Sequence, residues 1–177
     1  MPVADEEERG PVPDVVAPEL LVLFCGINPG LLSAATGHHF ARPGNRFWRA
    51  LAGAGLTDRV LAPEEQSELL RYGLGVTNLV ARPSAAAAEV SADELRQGAD
   101  RLRAKVGVWR PRCVAVLGIG AYRTAFGRPR ATVGEQPESL AGARLWALPN
   151  PSGLQAHYQL PQIVALLEEL RQRAGET

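Results

Sequence analysis

The chain has 177 residues, of which 46% are apolar and 21% charged, as in a soluble globular protein with a sizeable core. No apolar run approaches the roughly 20 residues that cross a bilayer, and no signal-peptide pattern opens the chain; we therefore expect a cytoplasmic protein with no membrane partner. The formal net charge is zero, which by itself argues against a nucleic-acid partner, but the charges are unevenly placed.

The acidic charge is concentrated at the start of the chain. Residues 1–20 hold six acids and one base, whereas the remaining residues hold 18 bases and 13 acids. We interpret residues 1–20 as a flexible, proline-rich acidic tail and residues 21–177 as a single domain. A mildly basic domain can bind phosphates where its arginines cluster, although the base composition of the genome would also explain an excess of arginine.

Strands and helices alternate along the domain. Short apolar runs predict buried strands at 21–25, 75–80, 113–118 and 144–149. Helical spacing predicts helices at 45–55, 63–73, 91–109, 118–126 and 160–173. Ser91, with Glu94 three residues later, forms a capping box at the start of the third helix. The alternation predicts an α/β fold with a parallel sheet covered on both faces and a ligand site at the carboxyl ends of the strands.

Two of the apolar runs end in an Asn-Pro pair. GINPG, residues 26–30, closes the first predicted strand, and LPNPSGLQA, residues 148–156, closes the last. Proline restricts the residue before it to an extended backbone, which holds the side chains of Asn28 and Asn150 in one direction. An asparagine carbonyl can orient a water, and its amide can donate a hydrogen bond. We expect both side chains to face one crevice; two simple turns are the alternative.

The loop at 33–48 has residues suited to a planar ligand. Phe40 lies outside any helical or strand periodicity, which favours a stacking platform over a core position. His38 and His39 have no third partner at metal-ligand spacing, so we expect no metal site. The two cysteines lie within predicted strands, and we expect them to be buried thiols.

Four motifs together resemble a known family. GINPG, TGHHFARPGNRFW at 36–48, GVTNLVARP at 75–83 and NPSGL at 150–154 occur in the order seen in the mismatch-specific uracil-DNA glycosylases, close relatives of thymine-DNA glycosylase. The resemblance runs from about Leu21 to Leu170. It implies a three-layer α/β/α sandwich around a short central parallel sheet, and it implies no cofactor and no metal.

The resemblance also implies a reaction and its site. Such enzymes hydrolyse the bond from the sugar to a base that is flipped out of the duplex, because that bond is out of reach within the stack. Asn28 would hold the attacking water. Phe40 would stack on the base, with backbone amides near Ile27 and Phe40 against the polar edge of the base. Ser33 and Asn150 would line the pocket.

The last motif implies a wedge in the DNA. Gly153 and Leu154, preceded by Ser152, would contact the duplex where the base has left, and Leu154 would replace the lost stacking. A core leucine behind a turn is the alternative for Leu154. The implied partner is double-stranded DNA that contains uracil or mismatched bases, bound by a monomer.

Three arginines flank the motif loops and are candidates for phosphate contacts: Arg42, Arg46 and Arg82. Two positions differ from the family pattern. Ala156 stands where related enzymes often have an arginine beside the opposing strand, which predicts a weaker preference for guanine opposite the target. Asn78 stands where the family frequently has a lysine.

The first motif carries no carboxylate, whereas other uracil-DNA glycosylase families use an aspartate there to activate water. Hydrolysis is then expected to be slow unless another segment supplies a carboxylate. The nearest acidic residues after the third motif are Glu89, Asp93 and Glu94. We take Asp93 as the candidate; the alternative is that Asp93 only stabilises the first turn of its helix.

The sequence thus predicts a monofunctional DNA glycosylase acting on uracil, notably opposite guanine, and on other damaged pyrimidines. No lysine lies in the motif loops to form a Schiff base; Lys105, the only lysine, lies on a predicted helix. Two alternatives remain: a non-catalytic protein that binds mismatched or abasic DNA, and a small nucleotide-binding protein that uses GINPG and the GIGAY segment at 118–122.

Overall fold

A computed structural model of the protein describes residues 10–152 and 157–176. Their strands form one sheet: β1 (Val22–Gly26), β2 (Leu74–Asn78), β3 (Cys113–Leu117), β4 (Gly134–Leu140) and β5 (Ala143–Leu148). The strand order is β2-β1-β3-β5-β4. The four strands that the apolar runs predict are parallel to one another, and β4 pairs antiparallel with β5 at one edge.

Strand β4 is an element that the apolar runs do not predict. Its sequence, GEQPESL, is polar and contains Pro137, which cannot donate to a strand ladder. Proline is tolerated here because β4 lies at the edge of the sheet, and the pairing with β5 shifts register between Glu135 and Ser139.

The helices of the described residues connect the strands. They are α1 (Leu31–Thr36), α2 (Phe47–Gly53), α3 (Ala92–Trp109), α4 (Ile119–Ala125) and α5 (Leu160–Ala174), with 3-10 helices at Pro63–Tyr72 and Ala87–Glu89. The predicted capping box is present, since Ser91 Oγ accepts from the Glu94 N–H at 3.1 Å and Glu94 accepts from the Ser91 N–H at 2.8 Å. None of the helices in these residues has both the length and the apolarity to cross a membrane.

The helices cover the sheet on both faces. Side chains alternate along each strand, so Phe24 of β1 packs with α2 and α5, whereas the neighbouring Leu23 packs with α3 and α4. Both cysteines are buried and free, and burial raises the pKa of Cys25 to about 12. The predicted α/β/α sandwich is confirmed, with a central sheet that is parallel except for β4 at its edge.

Residues 10–20 pack against the domain, unlike the loosely packed tail that composition predicts. Val15 exchanges two backbone hydrogen bonds of 2.9 Å with Val76 and so covers the outer edge of β2. Asp14 accepts a hydrogen bond from Thr77 and pairs with Lys105, both at 2.8 Å. Apolar residues within the acidic stretch supply this packing, because Val12, Val15 and Leu20 are buried. Residues 1–9 lie outside the described part of the chain.

Candidate active site

A cleft of about 560 Å³ opens at the carboxyl edge of the sheet, where the parallel strands end. All four asparagines of the chain line it: Asn28, Asn45, Asn78 and Asn150. The structure therefore brings Asn28 and Asn150 to one cleft, where parallel topology places ligand sites.

The amide of Asn28 is held from the loop that follows β2. Its Nδ2 donates to the Arg82 carbonyl oxygen and to Ser84 Oγ, both at 2.8 Å. Ser84 Oγ directs its own hydrogen to the Ala86 carbonyl oxygen at 2.7 Å and so acts as an acceptor toward Asn28. Both amide hydrogens are therefore in use, which fixes the orientation of the amide. The carbonyl oxygen Oδ1 is the group of Asn28 that can accept a hydrogen bond from a water.

Phe40 forms an aromatic wall of the cleft. Its backbone lies in the left-handed region, with φ of 50°, a conformation that non-glycine residues adopt rarely and at some cost in energy. Its ring lies 4.2 Å from that of Phe47, which is buried in the core. The Phe40 carbonyl accepts from Trp48 Nε1 at 3.3 Å. The core thus sets the position of the ring.

Asn78 is a cleft residue to which the family resemblance assigns no role. It is the last residue of β2 and pairs in register with Gly26 at the end of β1. A Cβ on Gly26 would lie 2.5 Å from Asn78 Oδ1 and 3.6 Å from the Phe40 ring. Glycine at 26 therefore lets Asn78 and Phe40 approach the same space. In the sequence, Asn78 could have been found as a polar residue near the end of a predicted strand, at the edge of the sheet where parallel strands place ligand sites.

The other predicted pocket residues line the same cleft. Ser33 is buried, and its Oγ accepts from the Ala41 N–H at 3.2 Å, which links α1 to the segment that follows Phe40. Ile27 directly follows β1, and its carbonyl oxygen accepts from the Val80 N–H at 2.9 Å. Asn150 Oδ1 accepts from the Ser152 N–H at 3.0 Å, which shapes the start of the last motif.

The three candidate phosphate-binding arginines have different surroundings. Arg42 is exposed and lines the cleft, and no acidic side chain in residues 10–152 and 157–176 forms an ion pair with it. Arg82 is paired with Glu94 at 2.9 Å, and this hydrogen bond is the main reason that the pKa of Glu94 falls to about 2. Only Arg42 combines exposure with a cleft position.

The surroundings of Arg46 differ from those expected of an arginine that contacts phosphate. It is 7% exposed, and its guanidinium donates to the carbonyl oxygens of Pro151, Ser152 and Tyr158. All three side-chain nitrogens donate inside the protein, so the described contacts assign Arg46 to holding the last motif in position.

The structure does not bring Asp93 to the cleft. Its side chain is 85% exposed on the first turn of α3 and pairs with Arg96, one turn along, at 2.9 Å. Glu94 is held in the capping box and by Arg82, and Glu89 accepts from the Ala86 N–H at 2.7 Å. Asp93 therefore fits the alternative reading, in which it stabilises the start of its helix.

The described lining of the cleft contains no acidic side chain, and Arg42 is its only arginine or lysine. His39 also lines the cleft, and its Nε2 lies 2.8 Å from the Pro13 carbonyl oxygen, so this nitrogen carries the proton. Burial lowers the pKa of His39, against the opposing effect of the Pro13 hydrogen bond. Arg42 is therefore the charged side chain at neutral pH among the described residues that line the cleft.

Two further expectations concern the wedge in the DNA and the absence of a metal site. Gly153, Leu154 and Ala156 lie outside the described residues, so the wedge stays a prediction. In residues 10–152 and 157–176, no three His, Cys, Asp or Glu side chains come close enough to hold a metal ion.

The fold and the cleft define an α/β protein with an amide-lined cleft at the carboxyl edge of its sheet. The family model of the uracil DNA glycosylase superfamily matches residues 13–171, and the chain belongs to this superfamily. Among solved structures, it is similar to a candidate uracil DNA glycosylase from Methanosarcina acetivorans determined by NMR, with a TM-score of 0.59 and 18% identity over 92% of this chain and 98% of that one. The superfamily that the motifs predict is thereby confirmed, and the structural likeness concerns the fold.

Proposed function

We propose that the protein is a monofunctional DNA glycosylase that removes uracil, notably uracil opposite guanine, from double-stranded DNA and leaves an abasic site. Superfamily membership supports the reaction class. The observation that carries the proposal is the fixed amide of Asn28, whose two hydrogens are taken by Arg82 and Ser84.

In the proposed reaction, Asn28 Oδ1 accepts a hydrogen bond from a water and orients its oxygen toward C1′ of the sugar. The bond from C1′ to the base breaks with its electron pair leaving on the pyrimidine, and the water oxygen bonds to C1′. The proton released from the water passes to solvent or to the departing base. A neutral amide does not take up this proton, so we expect orientation of the water to supply the catalysis of this step.

The walls of the cleft fit a flipped uracil. Phe40 offers a ring face for stacking. The Asn78 amide has both a donor and an acceptor, which match the O4 acceptor and the N3–H donor on one edge of uracil. We propose that Asn78 pairs with this edge of the flipped base.

The surroundings of Lys105 support a reaction without a Schiff base. Its Nζ donates to Thr77 Oγ1 and pairs with Asp14, both at 2.8 Å, and it is absent from the described lining of the cleft. We propose that one monomer acts, with Arg42 on a phosphate and Leu154 as the wedge. We also propose that the protein prefers uracil opposite guanine to uracil opposite adenine.

Single-turnover excision tests the proposal on oligonucleotides with uracil opposite guanine, opposite adenine and in a single strand, with alkaline cleavage as readout. We expect Asn28→Ala to lower the rate by about 100-fold or more while duplex binding is retained. Ser67→Ala, at an exposed serine of a 3-10 helix, is the control. Binding of mismatched duplex without excision of any substrate would instead identify the non-catalytic alternative, which the absence of acidic side chains from the described lining favours.

A further inference from the structure

Helix α1 has an inverted distribution of side chains. Its serine, Ser33, is 6% exposed, whereas Leu31 is 60% and Leu32 44% exposed. A short surface helix normally turns its leucines to the core and its polar side chains to water. The arrangement in α1 leaves much of the surface of these two large apolar side chains exposed to solvent.

Both leucines lie at the mouth of the cleft. Ala85–Ala88, also exposed, contribute to the same lining. We call these six residues the apolar lip. Among the described residues, the other large exposed apolar side chains are Val60 and Val108, and neither lines the cleft. The exposed apolar surface is thus continuous with the proposed ligand site.

We propose that the apolar lip binds the face of the base next to the flipped nucleotide on the same strand. The proposal rests on the proposed function, because the partner is the DNA that enters the cleft. Extrusion of one nucleotide uncovers the faces of its neighbours, and an apolar side chain can cover such a face. Phosphates gain nothing from leucine and alanine, whereas base faces stack on apolar and aromatic groups.

The position of Arg42 is consistent with this assignment. Arg42 lines the same cleft, is exposed and has no ion-pair partner among the described acids, so it can hold the backbone at the mouth. A strand held there by its phosphates presents its bases and sugars to the remaining surface of the mouth. The lip is the large apolar part of that surface.

The test uses the full chain and a duplex with a tetrahydrofuran abasic analogue at the target position and 2-aminopurine beside it. We expect Leu31→Ser to weaken binding about fivefold to twentyfold, as partial loss of a buried leucine implies, and to reduce the fluorescence change on binding. Leu31→Met should restore both signals, and Val60→Ser, which alters an exposed valine elsewhere, should match the wild type. The salt dependence of binding should stay unchanged in Leu31→Ser, whereas Arg42→Gln should reduce it by about one phosphate contact.

Equal affinity and equal fluorescence for Leu31→Ser and Val60→Ser would overturn the proposal. So would concentration-dependent dimers of the wild type that Leu31→Ser abolishes, since the lip would then face a second copy. Excision by the wild-type protein is measured in the same preparations. If the proposed function is wrong, the wild-type protein excises no uracil. If only the present inference is wrong, the wild type excises uracil and Leu31→Ser binds the duplex as Val60→Ser does.

Discussion

The backbone N–H and the side-chain Nε of Arg46 both donate to the carbonyl oxygen of Pro151, at 2.9 and 3.3 Å. The other guanidinium nitrogens donate to the carbonyls of Ser152 and Tyr158. Because Pro151 directly follows Asn150, one buried side chain determines where the last motif stands relative to the cleft.

Arg46→Met should destabilise the protein, because it removes the guanidinium donors to the Ser152 and Tyr158 carbonyl oxygens and one of the two donors to the Pro151 carbonyl oxygen. We expect a loss of about 2–4 kcal/mol in the free energy of unfolding, measured by urea denaturation. Arg49→Met, at an exposed position of helix α2, which directly follows Arg46, should change this free energy by less than about 0.5 kcal/mol. If both variants have wild-type stability, the guanidinium contacts do not hold the motif.

Ser84→Ala should slow excision without weakening DNA binding. The change removes one of the two acceptors that hold the Asn28 amide, and the loss of one hydrogen bond of about 1 kcal/mol corresponds to a rate about fivefold lower. Single-turnover rates and the affinity for an uncleavable duplex separate the two effects. A drop in affinity at an unchanged rate would assign Ser84 to binding and not to orientation.

Asp93→Asn should leave the excision rate unchanged. Asp93 is exposed and pairs with Arg96, as Asp100 pairs with Arg103 on the same helix. Asp100→Asn is therefore a matched control, and both variants should behave alike in single-turnover assays. A rate loss confined to Asp93→Asn would restore this carboxylate to the mechanism.

The stability of the protein should fall as the pH drops below about 6.5, the ordinary pKa of histidine. Burial lowers the pKa of His39 in the folded state, so the unfolded chain binds a proton at a higher pH than the folded protein does. The free energy of unfolding therefore decreases as the pH falls, until the pKa of His39 in the folded state is reached. This one group changes the free energy of unfolding by at most about 1.4 kcal/mol per pH unit. His39→Gln should flatten the dependence of the free energy of unfolding on pH below about 6.5. His38→Gln should keep that dependence, because His39 is then intact.

Much of the fold follows from local patterns. Buried parallel strands carry continuous apolar runs, so β1, β2, β3 and β5 are visible in the sequence. An edge strand such as β4 needs only one buried face, and its polar residues resemble a loop. Helix α1 is short and has no side-chain cap, which leaves no start signal to detect.

The site is harder to read, because a side chain's role depends on contacts between distant segments. The sequence shows Asn28 and Phe40 through their motifs. In the sequence, the three arginines at 42, 46 and 82 look equivalent. In the structure, Arg46 is buried, Arg82 is paired with Glu94, and Arg42 is exposed. Asp93 has the right charge for a catalytic group, but the direction of α3 places it outside the cleft.

The surroundings of Asn28 also discriminate between an amide and an acid. Aspartate at this position would set a charged oxygen near the Arg82 carbonyl oxygen, where Nδ2 now lies at 2.8 Å, and near Ser84, whose hydrogen is directed to Ala86. Two acceptors at that distance repel each other. An exchange of Asn28 for aspartate therefore places a carboxylate oxygen against the Arg82 carbonyl oxygen unless the neighbouring loop moves, so the loop after β2 and the residue type at position 28 are matched.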